Sequence, residues 1–531
     1  MNLFRKGLFF ILLAVAIIAV GCGQSKDSHS DSDNEKDSGE AANQEEAAEN
    51  RLRIALDAQP PNLDQPANTS TSGRDTSRLI FETLLTTDAE FKPVPMLAES
   101  VETEDNKTYV FKLREGIKFH NGKEMTAEDV IASMERWLTK STITGSIFGD
   151  ATWTAEDDYT VVLELKEASS LTLDTIATSK QAPAIMPKEV VEDAGEDFVN
   201  EYIGTGPYKF EDWKQDQYIH FTKYDEYQAV DKEADGLSGK KEALIDDIYF
   251  YIVPDTSTRL AGLQSGEYDF AYGIPYDSYE LVTNDENLNA HITASGEQFL
   301  IFNTIEGPVS DFKLRQALNT AIDSEEIMNA AFPNPDLYTL KSGYMDDNLV
   351  TWKSDAGKEY YNINNQEKAK ELLAESDYQG EELRLLSTRD YDHHYNTAVV
   401  IQEQLTRIGV NVKLEIVDWP TINSRQYEAD TWDLYIMGFS TVSTPPQFLG
   451  LSPTWAAGIE DEHVHEQMRA LELAPTIEEA KEIWDDLQLY AWEELLPVST
   501  LGAYHGLYAS QKNVEGIEAF SGPIFWNVTI E

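Results

Sequence analysis

Strand-like and helix-like segments alternate along residues 51–531, and no other feature constrains the fold of this chain as strongly. Apolar residues recur at helical spacing over residues 76–85 and 397–408, whereas Glu382–Ser387 and residues 410–417 alternate apolar with polar residues, as strands do. A further strand is predicted over residues 299–303. Helices interleaved with strands predict an α/β protein with a largely central sheet. No period of roughly 20–50 residues is apparent, which argues against solenoids and propellers.

The only cysteine of the chain, Cys22, follows an apolar run over residues 8–20 that a short basic region precedes. A helix of that length spans about 20 Å, less than the roughly 30 Å of a bilayer core, so residues 1–21 are expected to be a signal peptide. The sequence AVGC at residues 19–22 resembles a bacterial lipobox, which implies cleavage before Cys22 and acylation of its thiol, with palmitate among the acyl chains. The alternative is an ordinary secretory signal that contains one cysteine.

Acidic residues dominate the chain, with 95 Asp and Glu against 41 Lys and Arg and a formal net charge of −54. Residues 22–50 are polar and acidic without an aromatic residue, and they predict a disordered tether after the lipidated cysteine. The remaining residues carry enough large apolar side chains to fold. Because nucleic-acid affinity comes largely from Lys and Arg at phosphates, nucleic acid is excluded as a partner.

Seven blocks of sequence occur in the order typical of one protein family. They are residues 81–85 (FETLL), 109–137 (YVFKLREGIKFHNGKEMTAEDVIASMERW), 204–208 (GTGPY), 259–270 (RLAGLQSGEYDF), 302–304 (FNT), 311–323 (DFKLRQALNTAID) and 401–414 (IQEQLTRIGVNVKL). The chain therefore resembles the family 5 extracellular solute-binding proteins of ABC importers, a group that includes oligopeptide, dipeptide and nickel binders. The resemblance covers essentially all of residues 51–531.

The resemblance implies a two-lobed clamshell like the type II (cluster C) periplasmic binding proteins, with a ligand cleft between α/β lobes. Lobe I would comprise residues 51–84, 203–303 and 506–531. An extra domain inserted in lobe I would comprise residues 85–202, and lobe II residues 304–505. Closure of the lobes around a ligand is a known repertoire for such hinged proteins.

By the same resemblance, the protein would be a lipoprotein that captures oligopeptides or dipeptides outside the cytoplasm. It would deliver them to the permease and ATPase subunits of the importer, as a monomer held on the cell membrane through Cys22, on the outer surface of a Gram-positive cell. No cofactor and no enzymatic activity are expected, since the chain has no HExxH, GxSxG or GxxxxGK[ST] motif. The alternatives are a binder of a nickel chelate or an oligosaccharide, a receptor for a peptide signal, and an exported hydrolase.

Two positions of lobe II bear on the ligand. Arg389 matches the place where dipeptide-binding relatives keep an arginine for the ligand carboxylate, although it could instead form a surface pair with Asp390 or Asp392. Peptide-binding relatives place an aspartate for the ligand ammonium group in the loop after the strand predicted over residues 432–438. Here that loop holds Ser440, Thr441, Val442 and Ser443 and no acid, which weakens the case for a peptide ligand.

The remaining candidate ligand contacts flank these positions or match the edges of the family's cleft. They are Tyr391, Phe439, Asn303, Thr304, Thr71 and Ser72. Polar residues among them could hydrogen-bond a ligand, or they could be ordinary turn residues. The histidine pairs at 393–394 and at 463 and 465 are interpreted as solvated side chains, and no metal site is expected.

Overall fold

The computed structural model describes residues 50–145, 147–452, 455 and 459–531. Its strands are β1 (Arg51–Leu56), β2 (Leu85–Thr87), β3 (Pro93–Pro95), β4 (Ala98–Glu102), β5 (Thr108–Leu113), β6 (Thr152–Asp157), β7 (Thr160–Glu164), β8 (Tyr208–Lys214), β9 (Tyr218–Lys223), β10 (Asp247–Ile252), β11 (Phe270–Ala271), β12 (Leu288–Phe302), β13 (Tyr338–Thr339), β14 (Glu382–Ser387), β15 (Asn411–Ile416), β16 (Leu434–Ser440), β17 (Val498–Gln511), β18 (Val514–Glu515), β19 (Glu518–Ala519), β20 (Pro523–Ile524) and β21 (Thr529–Ile530). The predicted signal peptide and nearly all of the predicted tether lie outside the described residues.

The helices complete the mixed α/β fold that the sequence predicts. They are α1 (Thr71–Ser77), α2 (Ala127–Lys140), α3 (Thr172–Ile176), α4 (Lys188–Ala194), α5 (Thr256–Ser265), α6 (Tyr279–Thr283), α7 (Phe312–Ala321), α8 (Ser324–Ala331), α9 (Gln366–Glu375), α10 (Asp392–Arg407), α11 (Trp419–Arg425), α12 (Glu462–Glu472) and α13 (Ile477–Tyr490). Within the described part of the chain, no helix is both long and apolar enough to cross a membrane.

One sheet of eleven strands runs through the molecule in the order β15-β14-β16-β12-β17-β11-β1-β10-β9-β8, with β13 paired to β17. At one end β14 is parallel to both β15 and β16, and towards the other end β1 is parallel to β10 and β11. Helix α10 connects β14 to β15, as parallel neighbours require a crossover. The long strands β12 and β17 are antiparallel and join the two parallel regions.

A separate four-stranded sheet, β4-β5-β7-β6, is antiparallel. Its strands all fall within residues 85–202, the range predicted for the inserted domain. Helix α2 packs on this sheet with one apolar side, which includes the buried Val130, Met134 and Trp137. The exact bounds of the insert and of the two lobes stay predictions.

The helix predicted over residues 76–85 is wrong, because α1 ends at Ser77 and a turn follows it. The carbonyls of Leu79 and Ile80 accept hydrogen bonds from the amides of Tyr208 and Gly206, at 3.1 and 2.8 Å, so they are not available to continue a helix. A Cβ at Gly206 would lie 2.4 Å from the Leu79 carbonyl oxygen. The glycine is therefore required by the close approach of the two segments.

Candidate functional site

A cavity of about 1670 Å³ opens at the middle of the long strand pair. Small-molecule sites usually occupy roughly 300–1000 Å³, so this cavity can hold a ligand larger than a typical metabolite. Its lining residues come from ranges predicted for both lobes and for the insert, including residues 68–72, 179–180, 390–394 and 519–522. A ligand in the cavity would therefore contact all three parts of the predicted architecture.

The floor of the cavity is formed by residues of three neighbouring strands, β12, β16 and β17. Strand β12 contributes Ile292 to Ser295, where a bulge interrupts its pairing with β17 before Gly296. Glycines leave room at this floor: a Cβ at Gly506 would lie 2.6 Å from the Ser295 hydroxyl, and one at Gly438 would lie 3.2 Å from the Tyr504 hydroxyl. The hydroxyl-bearing residues Ser295 and Tyr504 are part of the cavity lining.

Aromatic side chains form one wall. They lie in the range predicted for lobe II, except Tyr276, which lies in the range predicted for lobe I. Tyr391 is 42% exposed and stands edge-on to Trp419, with ring centroids 5.1 Å apart. The rings of His393 and Tyr504 lie 5.5 Å apart, and both line the cavity. Exposed aromatic surface inside a cavity is typical of a ligand-binding wall.

A carboxylate faces the loop after β16, although that loop contains no acid. The hydroxyl of Thr441 donates to Oδ2 of Asp346 at 2.9 Å, and the amide of Asn348 donates to Oδ1 at 2.8 Å. Asp346 and Thr441 both line the cavity. Among the described residues, no Lys, Arg or His lies within ion-pair distance of Asp346. No sequence pattern indicated Asp346, because it lies 95 positions before the residue of the loop that it contacts.

The chain matches a family model over residues 92–456, that of the bacterial extracellular solute-binding proteins, family 5. The chain belongs to this family. The match covers more than half of the sequence and spans Tyr391, Asp346 and the loop after β16. It confirms the family that the sequence blocks indicate.

This solute-binding protein is similar to several relatives. One is y4tO of Sinorhizobium fredii, named a probable peptide ABC transporter periplasmic-binding protein. The two chains are 28% identical over 510 residues, and the alignment covers 91% of this chain and 94% of y4tO. This chain is 27% identical over 474 residues to the oligopeptide-binding protein AppA of Bacillus subtilis, covering 82% and 81%.

Solved structures share its two-lobed fold. The binding protein AgaA of A. tumefaciens R10, in complex with agropinic acid, has a TM-score of 0.73 at 27% identity and covers 91% of this chain and 99% of AgaA. AppA with a bound nonapeptide has a TM-score of 0.72 at 24% identity, with coverage of 91% and 99%. These structures confirm the predicted clamshell class.

Five of the predicted contact residues line the cavity of the solute-binding protein: Thr71, Ser72, Tyr391, Ser440 and Thr441. Thr71 and Ser72 open α1, whose first turn is capped by the Ser70 hydroxyl accepting from the Gly73 amide. Ser440 ends β16 opposite Gly296 of β12. The fold therefore brings together positions that are up to 370 residues apart in the sequence.

The other predicted contacts do not line the cavity. Arg389 is exposed, and its guanidinium lies 4.0 Å from the centroid of the Tyr395 ring. Phe439 is 8% exposed and packs among Phe299, Phe448 and Trp455.

Asn303 is fully buried, and its Nδ2 donates to the carbonyls of Ala429 and Trp432. Its Oδ1 accepts from the amides of Ile305 and Glu306. Thr304 follows it outside the cavity lining. These contacts are typical of a side chain that fixes a turn.

Val442 and Ser443 complete the loop without reaching the cavity lining. Val442 packs against the core, and the amide of Ser443 donates to Oε1 of Gln447 at 2.9 Å. The ligand-binding roles of all eleven residues stay predictions.

The adjacent histidines are packed rather than solvated, so that interpretation is wrong for residues 393 and 394. His394 is 3% exposed, and burial lowers its pKa well below the usual value. Burial lowers the pKa of His393 to about 4. Both rings are therefore neutral at pH 7. Within the described residues, no three His, Cys, Asp or Glu side chains are grouped closely enough to hold a metal ion.

Proposed function

We propose that this protein captures peptides outside the cytoplasm and delivers them to the permease of an ABC importer. The observation that carries the proposal is the large cavity over strands β12, β16 and β17, with an acid at one point of its wall. A peptide ligand needs room for varied side chains and a counter-charge for its N-terminus. The relatives named above as peptide-binding proteins support the same solute class.

Asp346 supplies a carboxylate that the loop after β16 lacks. A buried ammonium group without a counter-charge costs several kcal/mol, so a peptide N-terminus needs an acid in the cleft. We assign that role to Asp346, which Thr441 and Asn348 hold by hydrogen bonds. Both oxygens keep a lone pair for a ligand, because each accepts one described hydrogen bond.

The proposal includes the lipid anchor. Acyl chains on Cys22 contribute roughly 0.8 kcal/mol per buried CH₂, and two or more chains hold a protein stably on a membrane. An acidic tether of residues 22–50 would then separate the folded body from the membrane. The negative body would also resist adhesion to anionic lipid.

Native mass spectrometry of protein purified without denaturation tests the function, because a closed cleft can retain its ligand. Recovered peptides would support the proposal, and a recovered sugar, opine or metal chelate would contradict it. A thermal-shift screen with a randomised peptide pool gives an independent readout. A ligand at 100 times its Kd adds about 2.7 kcal/mol to the free energy of unfolding.

A further inference from the structure

Two cations, Arg74 and Lys180, line the same cavity from different segments. Arg74 lies in α1, and Lys180 lies in the loop between α3 and α4. Burial lowers the pKa of Lys180, and the positive charge of Arg74 lowers it further. We call this pair the cationic corner.

Acidic side chains nearby only partly balance the cationic corner. Asp75 accepts from Nε of Arg74 at 2.7 Å, and it also lies 3.2 Å from Nη2 of Arg78. One carboxylate is thus shared by two guanidinium groups. Among the described residues, no Asp or Glu lies within 4 Å of the Lys180 ammonium group. The result is a local surplus of positive charge.

Asp57 also lines the cavity, but the cation that faces it is Arg259 and not Arg74 or Lys180. Burial raises the pKa of Asp57, and the charge of Arg259 opposes that rise. The Cβ position of Gly273 lies 3.1 Å from Nη2 of Arg259 and 3.6 Å from Oδ2 of Asp57, so the two groups face the same glycine. Asp57 therefore offsets Arg259 and leaves the surplus at the cationic corner.

This surplus is unusual in a chain with more than twice as many acids as bases. The buried lysines Lys241 and Lys341 each have a glutamate partner, Glu82 at 3.4 Å and Glu297 at 3.3 Å. Lys180 is partly buried, and a partly desolvated ammonium group without a counter-charge costs some folding free energy. A ligand anion that occupies the cavity would remove that cost.

The surroundings of the cationic corner indicate what carries the anion. The rings of Phe91 and Phe520 are 4.4 Å apart and line the adjacent wall. The guanidinium of Arg74 lies against Gly522, two residues after Phe520. A Cβ at Gly522 would lie 2.5 Å from Nη2 of Arg74. With Nε already bonded to Asp75, the Nη groups of Arg74 remain for a second acceptor. A planar guanidinium suits a carboxylate, and the two rings suit an apolar group beside it.

We propose that Arg74 and Lys180 bind a carboxylate of the ligand, with an apolar group of the same ligand packed on Phe91 and Phe520. If the peptide function holds, this is the C-terminal carboxylate of a peptide whose last side chain is apolar. The subsite differs from the position of Arg389, which resemblance alone had selected and which lies outside the cavity lining.

The test uses three randomised tetrapeptide pools: free acids without Asp or Glu, the same sequences as C-terminal amides, and amides that contain one Glu. Thermal stabilisation of the protein by each pool is measured for the wild type and for Lys180→Gln, Arg74→Gln and Arg389→Gln. Lys112→Gln, which removes an exposed charge on β5, is the matched control.

We expect the free-acid pool to bind the wild type about tenfold or more tightly than the amide pool, since hydrogen bonds to charged groups are among the strong ones. Lys180→Gln and Arg74→Gln should lose this preference, whereas Lys112→Gln should keep it. Lys180→Gln should leave the unliganded protein at least as stable as the wild type, because it removes a partly buried charge that has no ion-pair partner among the described residues. That stability distinguishes loss of binding from misfolding.

Each other outcome has a definite meaning. Equal binding of acid and amide pools would overturn the carboxylate subsite and leave the peptide function standing. Loss of the preference in Arg389→Gln alone would return the role to Arg389 and overturn the subsite. If the Glu-containing amides bound more tightly than the free acids, the group at the cationic corner would be a side-chain carboxylate and not the C-terminus. No binding of any pool would reject the peptide function and this inference with it.

Discussion

Asp346→Asn tests whether the cavity recognises a peptide N-terminus. The substitution keeps the shape of the side chain and removes its charge. The amide of Asn348 can still donate to the remaining carbonyl oxygen, and the Thr441 hydroxyl can accept from the new NH₂ group. The unliganded protein should therefore keep its stability to within about 1 kcal/mol.

The expected loss is one charge-assisted hydrogen bond to the ligand. Such bonds contribute about 1.5–3 kcal/mol, and every 1.4 kcal/mol is tenfold in Kd. Asp346→Asn should thus weaken binding of a peptide with a free N-terminus by about 10- to 100-fold. The same peptide acetylated at its N-terminus carries no charge there, so its affinity should not change between wild type and variant.

Isothermal titration calorimetry with a peptide recovered from the native protein, or selected from the pools, measures both affinities. Asp347→Asn is the matched control: it removes the same charge one residue later, but Asp347 pairs with Lys353 at 3.0 Å and does not line the cavity. An equal loss for free and acetylated peptides would refute the assignment. So would an unchanged affinity for both.

Three further predictions concern residues outside the proposed charge contacts. Phe439→Ala should cost about 3–5 kcal/mol of folding free energy, measured by urea unfolding, while the folded fraction still binds peptide, because Phe439 packs in the core. The unfolded state protonates His393 near pH 6.5, but the folded state does so only near pH 4, so stability should fall as pH falls through that window. His393→Phe should remove about 2 kcal/mol of the loss between pH 7 and pH 5 in denaturation experiments. Cys22→Ala should abolish labelling by palmitate and release the protein into the medium, and a variant that stays membrane-bound would contradict lipid anchoring.

Local sequence determined many elements of this protein. The strand predicted at Glu382–Ser387 coincides with β14, and the run at residues 410–417 contains β15. Both have clear apolar alternation, which a half-buried strand needs on its own faces. The family followed from short blocks such as GTGPY at residues 204–208, whose glycines allow the close contact with residues 79–80.

Long strands and turns were harder to predict. The sequence indicates a strand only over residues 299–303, but β12 begins at Leu288. Its first ten residues are mostly small or polar because they pair with β17 and floor a cavity, so they lack the alternation of a strand with one buried face. The helix predicted over residues 76–85 is absent for a different reason. Its apolar residues are buried by neighbouring segments, and not by one side of a helix packing on the core.

The sequence by itself determined the α/β class, the family and five residues that line the cavity, because these depend on local pattern or on matched blocks. Only the tertiary structure decided which charges face the cavity. Arg389 was selected because it matches the place of an arginine in dipeptide-binding relatives, yet its side chain stacks on Tyr395. Lys180 and Asp346 come from segments without a local signal, and Arg74 lies two residues after the predicted contact Ser72. Electrostatic partners are fixed by distance in space, and the chain brings these three side chains to one cavity only when it folds.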